Sequence, residues 1–144
     1  MLRDERQVAL DCVIVNAKRA ADSYDDAAAI ATDPAMAALF QELSRRRDAM
    51  AKELEPHLRA LGELPSDPDV ESEALGQVWR RVKTTLASDG QAPLLAEAAA
   101  TEEELARCID AATAADLPDA TKTLLRGFGD EIARDRARLP PPEG

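Results

Sequence analysis

The sequence predicts an all-α fold, in which four helices form a bundle of two helical hairpins joined by one long crossover. Alanine, leucine, glutamate, aspartate and arginine dominate the composition, and the few β-branched residues are scattered, which favours helix throughout. Apolar residues recur at helical spacing in four separate stretches. At 144 residues the chain has the length of one domain, which we predict over residues 1–139.

The first hairpin is predicted from helices over about residues 4–32 and 34–61. The second of these has the clearest signals, because Asp33 is a good N-cap, Pro34 suits the first helical position and Gly62 is a C-terminal stop. Almost no loop separates the two helices, so we expect them to lie antiparallel. The inner stripe of the second helix consists of Met36, Phe40, Leu43, Met50, Leu54, Leu58 and Leu61.

The second hairpin is predicted from helices over about residues 93–115 and 119–139. Residues 62–92 form the crossover between the hairpins, and it contains an amphipathic stretch over about 70–87 that predicts a short helix, with Trp79 packed over the bundle. Antiparallel neighbours need a much shorter connection, so this one is expected to travel the length of the bundle. The proline-rich tail, residues 140–144, is predicted to be disordered.

The chain is acidic, with 28 acidic and 18 basic residues and a net charge of −10. This charge repels phosphate backbones, so we expect no nucleic-acid partner. The N-terminus lacks the apolar segment of a signal peptide and no run approaches membrane-spanning length, which predicts a cytoplasmic protein with no membrane partner. Cys12 and Cys108 are too few and too far apart in sequence for a disulfide framework or a zinc motif, and we expect reduced thiols.

Charged residues also fall within the predicted core. At 100° per residue, Arg47 lies on the centre line of the stripe of its helix, and Glu102 lies within the stripe of the third helix. The two hairpins align as an internal repeat in which Glu131 corresponds to Glu42. The same shift makes Arg136 the counterpart of Arg47. The sequence therefore predicts an interior polar network of Arg47, Arg136 and Glu102, which the Tyr24 hydroxyl could join unless Tyr24 only fills core volume.

Several stretches carry a resemblance to a known family. They are ATDPAMAALFQELSRRR, LRALGELP, LGQVWRRVKTTLASDG, LLAEAAATEEEL and LPDATKTLL. In this order and spacing the chain resembles an uncharacterised bacterial family of ferritin-like four-helix-bundle proteins, a domain of unknown function of the 2383 type. The resemblance covers nearly the whole chain and implies the ferritin-like topology with one long crossover. It implies no particular reaction, because the activity of the family is not established.

A ferritin-like fold raises the question of a site for iron or another divalent metal. Such a site takes an inward Glu from each of two helices and an inward Glu-x-x-His from each of the other two. Here the inward position of the first helix is Ala21, and arginines occupy the second and fourth helices, although a guanidinium offers no lone pair. We therefore expect no resident cofactor. The remaining candidate ligands are Glu102, Glu97, Glu42, Glu131 and His57, the only histidine, for which a hydrogen-bonded role is more common.

The two arginines allow two interpretations. In the first, Glu102 pairs with them, helped by Asp135 and the other glutamates, because an unpaired buried charge costs several kcal/mol. In the second, two guanidinium groups against one central carboxylate leave positive charge free to bind an anion. The ion-pair network is the simpler interpretation.

No catalytic constellation is apparent, since no serine or cysteine has a histidine within plausible reach and no glycine-rich phosphate loop is present. The sequence therefore predicts a non-enzymatic bundle that acts through protein association, most simply as a homo-oligomer. The alternative is a metal-binding or redox protein of the ferritin-like class with an atypical, carboxylate-rich site.

Overall fold

The computed structural model describes residues 5–62 and 92–139, which form four α-helices and no strand. Helix α1 spans Glu5–Ile30, α2 spans Pro34–Ala60, α3 spans Ala92–Ala114 and α4 spans Asp119–Arg138. The predicted all-α four-helix fold is confirmed, and the helix ends lie close to the predicted ones. The predicted crossover helix over 70–87 with Trp79, and the tail 140–144, lie outside the described residues.

The local signals for α2 act as the sequence indicates. The Asp33 side chain accepts a hydrogen bond from the Ala35 amide at 3.2 Å and caps the helix, and Pro34 is its first residue. Gly62 has a φ of 85°, a left-handed conformation that glycine adopts without steric cost. The turn at the end of α2 therefore depends on glycine at this position.

Helices α1 and α2 lie antiparallel, as predicted. At one end of this pair the Gln7 side chain donates a 2.7 Å hydrogen bond to the Leu61 carbonyl, and further along the Ser44 hydroxyl donates one of 2.7 Å to the Ala21 carbonyl. A residue early in α1 thus meets a residue late in α2, which fixes the opposite directions of the two helices.

Helices α2 and α3 run in the same direction. The α2–α4 pair is antiparallel, because His57 near the end of α2 meets Thr121 near the start of α4. Helix α3 runs opposite to α1, because Tyr24 late in α1 meets Glu102 in α3 while Asn16 meets Cys108 further along α3. Since α1 opposes both α2 and α3, the end of α2 and the start of α3 lie at opposite ends of the bundle.

The helices form a square in which α1 packs on α2 and α3, and α4 packs on α3 and α2. Helices α1 and α4 lie across one diagonal, and α2 and α3 across the other. On the α1 side the core is formed largely by alanines, and on the α2 side it is formed by larger side chains. Phe40 of α2 stacks on Tyr24 of α1 with ring centroids 6.0 Å apart. None of the described helices combines the length and the apolar character that crossing a bilayer requires.

Candidate functional site

A polar cluster lies at the centre of the bundle, with one side chain from each helix. The exposed fraction of every member is 1% or less, so solvent does not reach it. We call this the central cluster. It consists of Tyr24 from α1, Arg47 from α2, Glu102 from α3 and Asp135 from α4.

Helical periodicity places the charged members on the inner faces of their helices. Arg47 follows Leu43 by four residues and precedes Met50 by three, and both neighbours are buried in the core. Glu102 precedes the fully buried Leu105 by three residues. A charge at such a position cannot turn to water, so its partners come from the facing helices.

The Arg47–Glu102 pair is the core of the cluster. Arg47 Nε lies 3.2 and 3.1 Å from the two carboxylate oxygens of Glu102, and Arg47 Nη2 donates a 2.6 Å hydrogen bond to Oε1. The Tyr24 hydroxyl donates to the same Oε1 at 2.5 Å. Charge-assisted hydrogen bonds of this kind are about twice as strong as neutral ones. Both oxygens of Glu102 are therefore occupied by donors of the protein itself.

Asp135 adds a second carboxylate to the same guanidinium. Its Oδ2 lies 3.0 Å from Arg47 Nη2. This oxygen and Arg47 Nη1 are buried, and neither has a hydrogen-bond partner among the residues that the structure describes. The contact between Asp135 and Arg47 is thus an ion pair without hydrogen-bond geometry. All charged groups of the central cluster are paired, but Arg47 Nη1 and Asp135 Oδ2 make no hydrogen bond to a described residue.

The central cluster shifts the acidity of two of its members. Burial lowers the pKa of the Arg47 guanidinium, but the hydrogen bonds and charge of Glu102 outweigh burial and leave that pKa raised. Burial raises the pKa of the Tyr24 hydroxyl, and the negative charge of Glu102 raises it further. Tyr24 therefore stays a neutral donor, and Arg47 stays a cation.

A second set of charges connects α2 to α4 at the edge of the central cluster. Arg46 Nε lies 2.6 Å from Glu131 Oε1 and 3.6 Å from Asp135 Oδ2. Arg138 pairs with Glu42 and lies 3.9 Å from Asp135 Oδ1. We call these contacts the rim pairs. They give Asp135 two further cations, which Glu102 does not have among the described contacts.

The prediction for Arg136 is wrong, because this residue is exposed and Asp135 takes the inward position. The internal repeat predicted from the apolar stripes is four residues out of register. The buried positions of α4 follow those of α2 by 85 residues, which places Ile132, not Arg136, in correspondence with Arg47. The matched buried positions are Thr121, Leu125, Phe128, Ile132 and Asp135 in α4 and, in the same order, Met36, Phe40, Leu43, Arg47 and Met50 in α2.

The anion-pocket interpretation required two buried guanidinium groups, and the exposure of Arg136 leaves only that of Arg47 in the central cluster. The central cluster contains one guanidinium and two carboxylates, so its formal charge is negative and no positive charge is left over. An anion entering this site would meet Glu102 and Asp135 directly. The arrangement is the ion-pair network of the first interpretation.

The candidate metal ligands are dispersed. Glu42 and Glu131 are engaged in the rim pairs, and His57 Nδ1 lies 2.7 Å from the Thr121 hydroxyl, at the other end of α2. Glu97 lines a surface depression between α1 and α3. Within residues 5–62 and 92–139, no three His, Cys, Asp or Glu side chains converge in a way that could hold a metal ion.

These donors do not fit a ferritin-type metal centre. Glu102 is the one buried glutamate of the set, and its two oxygens already accept from Arg47 and Tyr24. The inward position predicted on α1 is Ala21, which offers only a backbone carbonyl, and that carbonyl accepts a hydrogen bond from Ser44. A cation at this position would have to displace Arg47, which is itself a fixed positive charge.

The expectation of reduced thiols is wrong in this structure, which joins Cys12 and Cys108 in a disulfide with Cα atoms 5.8 Å apart. The two residues lie 96 positions apart in sequence, and such a separation gives no indication that they meet in space. Antiparallel packing of α1 against α3 brings them side by side.

Comparison with known proteins gives one match. Residues 8–115 match the model of a family described as a domain of unknown function, DUF2383. The matched range includes both cysteines and three members of the central cluster, and it ends before α4. Searches of the curated proteins and of the solved structures return no significant match. Because the match extends over more than half of the residues, the chain belongs to the DUF2383 family.

Proposed function

We propose that this protein is a non-catalytic helical scaffold that acts by associating with further copies of itself through its charged surfaces. The observation that carries this proposal is the closure of its polar centre. Every member of the central cluster is buried, and the strongest donors and acceptors are directed at one another. A site of this kind holds helices in place and offers no group to a substrate.

The surface depressions of the described helices support the same conclusion. A groove of about 640 Å³ between α3 and α4 is lined by Ile109, Asp110, Arg126 and other residues, and a smaller depression of about 200 Å³ lies between α1 and α3. Neither is lined by a member of the central cluster. A small molecule in either depression would therefore not reach the buried charges.

The surface charges are segregated between helices, which supports association between copies. On its surface, helix α3 carries four acidic side chains against one basic residue, Arg107, and they are Glu97, Glu103, Glu104 and Asp110. Helix α4 exposes four arginines, Arg126, Arg134, Arg136 and Arg138, against two acidic side chains, Asp119 and Asp130. Val8 is the one large apolar side chain exposed among the described residues, so an apolar interface is not favoured there. Contact between the acidic α3 of one copy and the arginines of α4 in another is complementary in charge.

The test is the oligomeric state as a function of salt. Light scattering after size exclusion is expected to show an assembly at about 0.01 M ionic strength, where charges act over about 30 Å, and monomer at about 1 M, where they act over about 3 Å. Arg134→Glu combined with Arg136→Glu should abolish the assembly at low salt. The matched control is Arg45→Glu with Arg59→Glu, which changes the net charge equally on exposed positions of α2.

Monomer at micromolar concentration and low salt would overturn the proposal. So would equal loss of assembly in both double variants, because net charge rather than the α4 surface would then be responsible.

We further propose that the relation to ferritin-like proteins is one of topology, with an ion pair at the position of a metal centre. The parallel course of α2 and α3 supports this, since it requires the single long crossover of that fold. The occupied oxygens of Glu102 support the loss of the metal. Protein purified without chelators should contain iron, manganese and zinc far below one ion per chain. Equimolar metal that survives dialysis would refute this part.

A further inference from the structure

The Cys12–Cys108 disulfide connects the two hairpins at a place where one sulfur is more accessible than the other. It joins α1 to α3, so it covalently links the α1–α2 hairpin to the α3–α4 hairpin. Cys108 is 4% exposed and belongs to the buried core. Cys12 is only partly buried and packs at the edge of that core. A reagent from solvent therefore meets Cys12 first.

A buried amide accompanies the disulfide. Asn16 Nδ2 lies 3.3 Å from Cys108 Sγ and 3.6 Å from Cys12 Sγ, and it also donates a 2.8 Å hydrogen bond to the Cys12 carbonyl one turn earlier. Asn16 is 8% exposed, so its side chain has little access to water. The carbonyl contact holds the amide in a fixed orientation, with its N–H groups close to both sulfurs.

The depression of about 200 Å³ between α1 and α3 reaches this amide. Its lining includes Asn16 together with Thr101 and Glu97. The amide thus lies between an opening on the surface and the buried Cys108. An N–H donor beside a sulfur stabilises that sulfur as a thiolate, and a thiol with a lower pKa leaves faster in disulfide exchange.

From these positions we propose that Cys12–Cys108 is a thiol–disulfide exchange site for a dithiol reductant, with Cys12 as the attacked sulfur and Cys108 as the leaving group that Asn16 stabilises. This is independent of the scaffold function, because it concerns a covalent link within one chain.

The exchange has two balanced steps. A thiolate of the dithiol attacks Cys12 Sγ and forms a mixed disulfide, while the Cys12–Cys108 bond breaks and its electron pair leaves on Cys108 Sγ, next to Asn16 Nδ2. The second thiol of the reductant loses its proton and attacks its own sulfur in the mixed disulfide. Cys12 then leaves as a thiolate, and the reductant departs as a cyclic disulfide. The protein gains two electrons and two protons, and the dithiol loses the same number.

The experiment measures the rate at which dithiothreitol reduces the oxidised full-length chain, with free thiols trapped by alkylation and counted by intact mass. The wild-type rate should rise in proportion to the dithiothreitol concentration. Asn16→Leu, which keeps the size but removes the donor, should slow reduction about tenfold, as expected for one lost hydrogen bond to a charged group. Asn16→Asp should slow it further, because its carboxylate repels the departing thiolate.

Thr101→Val is the matched control, since Thr101 lines the same depression and its hydroxyl bonds only the Glu97 carbonyl in the described contacts. Its reduction rate should equal that of the wild type. Thermal unfolding of the oxidised variants separates a change in exchange chemistry from a change in stability. A slower rate in Asn16→Leu at an unchanged unfolding midpoint is the result that supports the proposal.

The attacked sulfur is identified with single-cysteine chains and glutathione disulfide. Cys108→Ser, which retains Cys12, should form the mixed disulfide at least about tenfold faster than Cys12→Ser, which retains the buried Cys108. The proposal is overturned by free thiols in protein equilibrated with oxidised glutathione. It is also overturned by equal rates for Asn16→Leu and wild type, or by a reduction rate that does not depend on dithiothreitol, which would show that the disulfide reacts only after unfolding.

Discussion

Replacing Arg47 with alanine removes the cation around which the central cluster is built. Arg47 and Glu102 are both fully buried, and the substitution deletes every contact between them while leaving the carboxylate in place. Among the contacts of the described residues, Glu102 then keeps only the hydroxyl of Tyr24. Asp135 is less affected, because the rim pairs leave it near two other arginines, at 3.6 and 3.9 Å. The stranded charge is therefore mainly that of Glu102.

Breaking a buried pair in this way costs about 3–5 kcal/mol of the free energy of unfolding, against about 5–15 kcal/mol for a whole domain. Arg47→Met should cost less than Arg47→Ala, because methionine fills the volume of the arginine stem. Adding Glu102→Gln to Arg47→Met removes the stranded charge and keeps an acceptor for Tyr24. This double variant should recover much of the loss, and a double-mutant cycle measures the coupling between the two positions.

The assay is urea unfolding followed by the helical circular dichroism signal. Arg45→Ala is the control, because Arg45 is exposed on the same helix and should change the free energy of unfolding by less than about 0.5 kcal/mol. Equal midpoints for Arg47→Ala and Arg45→Ala would refute the reasoning, since Arg47 would then behave as a solvated charge.

Three further outcomes can be measured. Glu102→Ala should lower the urea midpoint more than Asp135→Ala, because Glu102 is the principal acceptor for Arg47, and the reverse order would contradict the geometry. Arg136→Ala should change the free energy of unfolding by less than about 0.5 kcal/mol, because Arg136 is exposed. A larger loss would mean that the Arg136 side chain is buried. The pKa of Tyr24, the only tyrosine, is raised by burial and then by the charge of Glu102, so its contribution to stability is fully present below about pH 10 and is lost as the pH rises above that value. Tyrosinate absorbance should therefore appear together with loss of helical signal, and its appearance in the folded protein would contradict the buried hydrogen bond.

The helices and half of the central cluster were accessible from the sequence because each depends on one helix at a time. Arg47 and Glu102 are placed inward by the three- and four-residue steps of their own helices, and the structure buries both. Their carboxylate–guanidinium pairing then follows from the cost of an unpaired buried charge. The sequence leaves open whether the Tyr24 hydroxyl joins the network or the ring only fills core volume, and the structure shows that the hydroxyl reaches Glu102.

The features that were missed depend on the alignment of one helix against another. Arg136 was placed by matching two apolar stripes. The observed register differs by four residues, about one turn, and three of its five buried pairs join an apolar residue to a polar one, so matching apolar positions does not select it. The same lack of interhelical information separated Cys12 from Cys108, which are remote in sequence and adjacent in space. Periodicity shows which face of a helix is buried, but it does not show which residue of the facing helix it meets.

The central cluster supplies the alignment that the apolar stripes leave undetermined. Apolar side chains of a bundle are largely interchangeable, so a slide of one turn, about 5.4 Å, exchanges one leucine or alanine contact for another. The polar contacts of Tyr24, Arg47, Glu102 and Asp135 are between 2.5 and 3.2 Å long, and the same slide of any one helix would separate its member from the others. Buried charges would then be unpaired at a cost of several kcal/mol. A slide of α2, α3 or α4 carries this penalty, and a slide of α1 leaves the buried Tyr24 hydroxyl without its partner, at a cost of about 1–3 kcal/mol. The net contribution of such a cluster to stability is small when it is compared with apolar packing, but it distinguishes one helix register from its neighbours.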